Sequence, residues 1–272
     1  MSTVTYPSSS GLKEKTLEEV EPLYGKRIAI VGPPGSGKTW LAATWPAPAF
    51  LDVDHNIATL KQEGWRTYAG GPKKIILAQP YDIRDKRGIV LDPTGFWQSL
   101  EKLNEWSENT DIKTIVIDSL TSLSVMAMSL AIHANEKEKR SQTKKEALQK
   151  HGVLLYTEAD FGSEMGVMEQ LLEQMPQIPQ TVIFNCHVRT EYNSTGSLLG
   201  YKPLITGNKH RESFGRWFNE VWWLETRGHG IKTKRVLMSH SDNLHQFLKT
   251  TMSLPVEIED PSYDTIRQKA GL

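Results

Sequence analysis

The sequence GPPGSGKT, residues 32–39, follows an apolar run, RIAIV at 27–31, and precedes a helix-prone run, WLAAT at 40–44. Its glycines allow the backbone to turn tightly enough for successive N–H groups to point inward, where they can hold a polyphosphate. A chance glycine-rich turn is the alternative, but a strand before the loop and a helix after it are typical of a P-loop. The fold is therefore expected to be arranged around one phosphate-binding loop.

This loop predicts ATP and Mg²⁺ as cofactors. Lys38 is expected to reach the β- and γ-phosphates, and the Thr39 hydroxyl is expected to bind the metal ion. The residues predicted to contact the nucleotide are Gly32, Pro33, Pro34, Gly35, Ser36, Gly37, Lys38, Thr39 and Trp40.

The chain has 272 residues, a length that suits one α/β core with flanking segments. We expect an N-terminal arm at 1–24, a core at 25–250 and a polar C-terminal tail at 251–272. Between 49 and 238, apolar runs of strand length alternate with segments of helical periodicity, which favours a mostly parallel sheet flanked by helices. The last apolar runs, at 217–224 and 234–238, predict an antiparallel hairpin.

Charge and cysteine content limit the possible functions. The chain carries 32 basic and 32 acidic residues, so a nucleic acid would have to bind at local basic patches. Cys186 is the single cysteine, which excludes an intramolecular disulfide and indicates a reducing compartment such as the cytoplasm. No leader-like or membrane-spanning apolar run is present, so no membrane role is expected.

Acidic residues follow two of the predicted strands. Asp118 ends the run TIVI at 114–117, where a carboxylate can support Mg²⁺ bound to phosphates. Asp52 and Asp54 end the run after the P-loop helix and can share one face of that strand, toward the γ-phosphate. Helix capping is the alternative for this pair, and an ordinary strand end is the alternative for Asp118.

The region around these acids resembles the RecA and RadA recombinases. Asp118-Ser119 followed by LTSL at 120–123 resembles their Walker B motif, and AFLDVDHNI at 49–57 resembles the stretch that carries their catalytic glutamate. The matching residue here is Asp54, one methylene shorter than glutamate. The resemblance covers about residues 25–245 and implies a RecA-like P-loop NTPase fold, with Lys38, Asp54 and Asp118 in the catalytic site and with Thr39 and Asp118 at the metal.

The same resemblance implies roles for three further residues. His187 matches a polar residue that senses the γ-phosphate and couples it to a DNA-binding loop; an ordinary loop histidine is the alternative. Lys232 and Lys234 resemble a pair that reaches the nucleotide of a neighbouring subunit. The resemblance therefore implies a homo-oligomer, either a ring or a filament.

Two basic segments correspond to the DNA-binding loops of these recombinases, at about 135–151 and 188–211. A solvated surface is the alternative reading of both segments. The candidate DNA contacts are Lys139, Arg140, Lys144, Lys145, Arg189, Lys202, Lys209 and Arg211.

The chain also departs from full-length recombinases. Residues 58–61 lack the aromatic residue that stacks on adenine in that family, and we expect no separate DNA-binding domain. The P-loop, the DVDH sequence and the stretch 207–224 are similar to phage-encoded minimal RecA-like proteins of single-strand annealing and recombination. This subgroup implies a DNA-stimulated ATPase acting on single-stranded DNA in the host cytoplasm, with a single-strand-binding protein as a further partner.

Two other functions remain open from the sequence. A stand-alone ATPase of the AAA or helicase-loader type would need a trans-acting arginine and a helical lid. A nucleotide-dependent scaffold would bind ATP with little turnover, so Lys38 would matter to its function and Asp54 would not.

Overall fold

The computed structural model describes residues 26–68, 74–136, 156–207, 211–228, 230 and 233–272. The predicted arm at 1–24 and most of the lysine-rich segment, 137–155, lie outside the described residues. No helix in the described ranges is long and apolar enough to cross a membrane.

The helices and strands follow the predicted alternation. The strands are β1 (Arg27–Val31), β2 (Pro48–Asp52), β3 (Ile76–Ala78), β4 (Ile83–Arg84), β5 (Val90–Asp92), β6 (Thr114–Asp118), β7 (Thr181–Cys186), β8 (Val188–Tyr192), β9 (Leu198–Pro203), β10 (Glu220–Arg227), β11 (Lys234–Met238) and β12 (Glu257–Glu259). The α-helices are α1 (Lys38–Ala42), α2 (Glu63–Tyr68), α3 (Thr94–Glu108), α4 (Leu120–Glu136), α5 (Glu158–Gln174) and α6 (Tyr263–Ala270). Short 3₁₀ helices lie at Ile57–Lys61, Met175–Gln177 and Phe214–Trp217.

Within the described residues, eight strands form one sheet in the order β12-β11-β10-β1-β7-β6-β2-β3. The six strands from β10 to β3 are parallel, whereas β11 and β12 pair antiparallel at one edge. This arrangement confirms the predicted α/β fold with a mostly parallel sheet and C-terminal antiparallel strands. The P-loop strand β1 lies inside the sheet, separated from β6 by β7 alone.

Both faces of the central parallel strands β1, β2, β6 and β7 are buried. Alternate residues of β1 belong to different hydrophobic clusters: Ala29 and Val31 pack with residues of α3, α4 and α5, whereas Ile28 and Ile30 pack with residues of α1 and α6. Because the parallel strands are covered on both sides, their sequences are continuously apolar. Polar side chains therefore concentrate at the strand ends, where the site lies.

The segment after β7, predicted to correspond to a DNA-binding loop at about 188–211, contains two strands. Strands β8 and β9 pair antiparallel and form a hairpin from 188 to 203. A backbone hydrogen bond from Leu204 to His187 closes its base at 2.8 Å. Tyr201 stacks on His245 at 5.0 Å between ring centroids and lies 4.8 Å from Trp223, so the hairpin is fixed to the sheet by ring packing.

The C-terminal residues differ from the predicted polar tail. Strand β12 pairs with β11 at the sheet edge, and α6 packs behind the P-loop helix. The backbone N–H of Tyr263 donates to Thr44 Oγ1 at 2.8 Å, and the Tyr263 ring lies 5.5 Å from that of Trp45. Ile266 is 3% exposed in the same cluster. Residues 251–272 contain few apolar side chains, so this packing could not be predicted from their composition. One buried residue of β12 and one face of α6 are enough to dock the segment.

Replacing Ile266 with alanine is expected to lower the free energy of unfolding by about 2 kcal/mol, because buried methyl groups are lost and a cavity remains. Urea unfolding of the full chain measures this change. Lys269→Ala, on the exposed side of the same helix, is the matched control and should change stability little. Equal effects of the two substitutions would contradict the docking of α6.

Two tryptophans of the apolar run at 217–224 lie in the core. Trp222 is fully buried and Trp223 is 2% exposed, both on β10. The predicted strand at 217–224 begins three residues later, since Trp217 ends a 3₁₀ helix. Its ring packs against the Arg216 guanidinium, 4.0 Å from the centroid.

Candidate functional site

The P-loop connects the carboxyl end of β1 to α1, a helix of five residues. Gly35 and Gly37 have φ angles of 77° and 96°, values that side chains with a Cβ rarely adopt. A Cβ on Gly32 would lie 2.1 Å from the Leu224 carbonyl oxygen, so this position requires glycine because β10 passes so close. Glycine is therefore required at 35 and 37 for the backbone turn and at 32 for close packing against β10.

Lys38 is buried and points back into the loop. Its Nζ donates to the carbonyl oxygens of Gly32 at 2.9 Å and Pro33 at 3.0 Å. Burial lowers the pKa of Lys38, and the nearby carboxylates of Asp118 and Asp54 oppose this shift. An anion in the loop would supply the negative charge that a buried ammonium needs.

Thr39 and Asp118 meet at the end of β6. The Thr39 hydroxyl donates to Asp118 Oδ2 at 2.6 Å. Burial raises the pKa of Asp118, and the hydrogen bond from Thr39 opposes the shift. A hydroxyl and a carboxylate oxygen beside a phosphate loop are hard oxygen ligands, which fit Mg²⁺. These two residues would hold the ion, which supplies charge neutralisation to the phosphates when bound.

Asp54 lies at the centre of a hydrogen-bond network between three strand ends. Ser119 Oγ donates to Asp54 Oδ1 at 2.9 Å, and His187 Nε2 donates to Asp54 Oδ2 at 3.1 Å. The His187 backbone N–H donates to Thr121 Oγ1 at 3.0 Å, which fixes the histidine against α4. Asp54 therefore connects the ends of β2, β6 and β7.

The ionisation of Asp54 follows from this network. Burial alone would raise the pKa of the carboxyl group, but hydrogen bonds from His187, Ser122 and Ser119 outweigh burial and lower the pKa to about 2. The carboxylate is therefore charged throughout the physiological range. A charged carboxylate can orient an attacking water or accept its proton.

The other acid of this strand end has a different role. Asp52 accepts hydrogen bonds from the backbone N–H groups of Asn56 and Ile57 and from the Gln79 side chain. The capping alternative thus describes Asp52, while Asp54 alone faces the site. His55 is turned away and bonds the Pro80 carbonyl oxygen at 3.0 Å.

These groups line one cleft of about 360 Å³. Pockets for small ligands occupy roughly 300–1,000 Å³, so the cleft suits a nucleotide. The residues that line it are Pro34, Gly35, Gly37, Lys38, Thr39, Trp40, Asp54, Asn56, Thr59, Gln62, Asp118, His187 and Arg235.

Arg235 reaches this cleft from β11, a contact that sequence reasoning missed. Its guanidinium carbon lies 4.2 Å from the Trp40 ring centroid. A Cβ on Gly37 would lie 2.5 Å from Arg235 Nε, so glycine also makes room for this arginine. The sequence offered one signal for this contact, since Arg235 directly follows Lys234 on the predicted hairpin.

The chain matches the family model described as AAA domain, AAA_24, over residues 24–246. It belongs to this AAA-domain family. Among solved structures, the KaiC-like protein PH0186 from the hyperthermophilic archaeon Pyrococcus horikoshii OT3 is similar, with 16% identity, a TM-score of 0.40, and coverage of 79% of this chain and 78% of that chain. A search of curated proteins found no match.

The family and the strand order together support a RecA-like P-loop ATPase domain for this AAA-domain protein. The closer relation to phage recombination proteins stays a prediction. The family also keeps the stand-alone AAA-type ATPase open as an alternative.

The predicted DNA-binding and trans-acting residues that the structure of this AAA-domain protein describes do not line the cleft. Arg189 is exposed on β8, Lys202 on β9 forms an ion pair with Glu191 at 3.0 Å, and Arg211 is half-buried. Lys234 forms an ion pair with Glu259 at 2.6 Å within the same chain. The remaining candidates lie outside the described residues: Lys139, Arg140, Lys144, Lys145, Lys209 and Lys232.

Proposed function

We propose that this protein binds and hydrolyses ATP with Mg²⁺, and that single-stranded DNA stimulates the hydrolysis, as in phage-type recombination and strand annealing. The residues that line the cleft support the proposed ATP hydrolysis. Lys38 binds the phosphates, Thr39 and Asp118 hold the metal, and the charged Asp54 positions the attacking water.

The observation that carries the DNA part is the position of His187. This side chain bonds the catalytic candidate Asp54, and the next residue, Val188, begins the β8–β9 hairpin. The hairpin presents Arg189 and the exposed ring of Tyr192, groups that suit phosphate contact and base stacking. A change at the γ-phosphate would therefore reach the proposed DNA surface through one residue.

The proposal extends to assembly. A homo-oligomeric ring or filament on single-stranded DNA, with a single-strand-binding protein as a further partner, follows from the same resemblance. Lys234 would act on a neighbouring nucleotide only after leaving Glu259, an exposed pair of the kind that contributes little to stability.

The test is the rate of ATP hydrolysis with and without single-stranded DNA, at low and high salt. Lys38→Ala supplies the background rate. We expect DNA to stimulate the wild type at low salt and the stimulation to disappear at high salt, because phosphate contacts release counterions. A hydrolysis rate that is the same with and without DNA would favour the AAA-type ATPase instead. Nucleotide binding without hydrolysis would favour the scaffold.

Two matched substitutions locate the stimulation within the same assay. Arg189→Ala removes an exposed charge from the hairpin, whereas Arg267→Ala removes one from α6. Only the first should weaken the stimulation, without changing the rate in the absence of DNA. Equal effects of both would mean that the hairpin is not the DNA surface.

A further inference from the structure

The base of the nucleotide needs a binding surface that the resemblance does not supply. The loop after Asp54 carries Ala58, Thr59, Leu60 and Lys61, none of which is aromatic. The phosphates and metal are accounted for by the polar residues of the P-loop and strand ends. The flat apolar surface has to come from elsewhere in the cleft.

Besides the imidazole of His187, which bonds Asp54, one aromatic ring lines the cleft among the described residues, that of Trp40. Its indole N–H donates to Thr59 Oγ1 at 3.0 Å. A Cβ on Gly64 would lie 3.2 Å from the ring, so α2 packs closely against its edge. The ring is therefore held in place beside the P-loop.

Arg235 covers this ring with its guanidinium group, 4.2 Å from the centroid. The arginine backbone is itself fixed, since its N–H donates to Asp260 Oδ1 at 3.0 Å and its carbonyl oxygen accepts from Asp260 N at 2.7 Å. The planar group is thus presented at the P-loop by the pairing of β11 with the C-terminal segment.

The chemistry of this pair suits a base better than a phosphate. A guanidinium plane stacks on aromatic rings and also offers N–H donors to ring nitrogens and carbonyl oxygens. Thr59 and Gln62 add polar groups at the same part of the cleft. The phosphate loop already has Lys38 as its cation.

We propose that Trp40 and Arg235 form the base platform of this cleft, with the Arg235 guanidinium stacking on a purine ring. This inference rests on the proposed nucleotide binding and adds the residues that select the base. Its ligand class is a purine nucleoside di- or triphosphate.

The test is equilibrium binding by calorimetry with three ligands in the presence of Mg²⁺: ADP, CDP and inorganic pyrophosphate, the last measured by competition. Arg235→Ala should weaken ADP binding by about tenfold, the scale of a lost cation–π stack in a partly desolvated site. CDP should lose less, because a pyrimidine has a smaller ring surface, and pyrophosphate should be unaffected. Arg235→Lys should not restore ADP binding, since an ammonium group cannot stack as a plane.

Arg216→Ala is the matched control. It removes an arginine that packs on Trp217 at 4.0 Å, outside the cleft, and should leave all three affinities unchanged. An equal loss for ADP and pyrophosphate, with the ADP-to-CDP ratio preserved, would identify Arg235 as a phosphate contact and overturn the proposal. Unchanged ADP binding would overturn it as well. Failure of the underlying function is distinguishable, because ADP would then bind Lys38→Ala as tightly as the wild type.

Discussion

Asp54→Asn is expected to lower the rate of ATP hydrolysis by about 10²–10⁴-fold, the usual contribution of a positioned general base. The affinity for ATP should change little, since Lys38 and the loop backbone, rather than Asp54, are the groups proposed to bind the phosphates. The substitution keeps the shape of the side chain and an oxygen that can accept from Ser119, but it removes the charge. Single-turnover hydrolysis and nucleotide binding, measured separately, check both expectations.

Asp52→Asn is the matched control for this result. It lies two residues earlier and carries the same chemical change, but its carboxylate caps the turn at 56–57. It should cost about 1 kcal/mol of stability and leave the hydrolysis rate unchanged. A wild-type function of Asp54→Asn would contradict the catalytic assignment of Asp54 and support a nucleotide-dependent scaffold.

Glu164→Leu is expected to stabilise the protein by about 3 kcal/mol at pH 8. Glu164 is fully buried on α5, and neither carboxyl oxygen has a hydrogen-bond partner in the part of the chain that the structure describes. It borders a cavity of about 10 Å³ together with Leu120, Met168 and Phe214. Burial raises the pKa of Glu164 from 4.5 to about 7.

The sign of the pH dependence follows from this shift. Between pH 4.5 and 7 the folded protein keeps a proton that the unfolded chain loses, so stability falls as the pH rises through this window. The gain from Glu164→Leu should therefore be large at pH 8 and small near pH 4.5. Urea unfolding at both values measures it.

Glu173→Leu, on the exposed side of α5, is the matched control and should show no such pH dependence. Glu164→Gln is a second variant, which should remove the pH dependence by imitating the protonated acid. A gain from Glu164→Leu that is the same at both pH values would mean that the burial of a charge is not its cause.

Much of the fold was predictable because its strands are short apolar runs that end in polar residues. The P-loop after β1 and Asp118 at the end of β6 could be recognised in the sequence because each ends an apolar run. Parallel strands then bring these carboxyl ends together at one edge of the sheet. The sequence could not separate Asp52 from Asp54, because alternation places both on one face. In the structure, the backbone N–H groups of the following turn donate to Asp52 and not to Asp54, so Asp52 caps this turn.

Other features depend on contacts between distant residues. Arg235 reaches the P-loop only because β11 pairs with β10 and β12, and the order of these edge strands is not encoded in the arginine itself. The β8–β9 hairpin was missed because its strands are polar, although Asn193 to Gly196 form a recognisable turn sequence. Glu164 did carry a signal, since it lies four residues before the buried Met168 on the apolar side of α5.

The hairpin also gives the site a mechanical property. Strand β8 has five residues, so its tip lies about 17 Å from His187 at the base. A tilt of about 10° at the base would then displace the tip by about 3 Å, a distance comparable to a hydrogen bond. Tyr201 pairs with Thr190 in the middle of the hairpin, and its ring packs against His245 and Trp223, so the hairpin is held to the sheet at this level. If His187 transmits a change at the γ-phosphate as proposed, a movement of this size at the tip of the β8–β9 hairpin would be large enough to make or break a contact there.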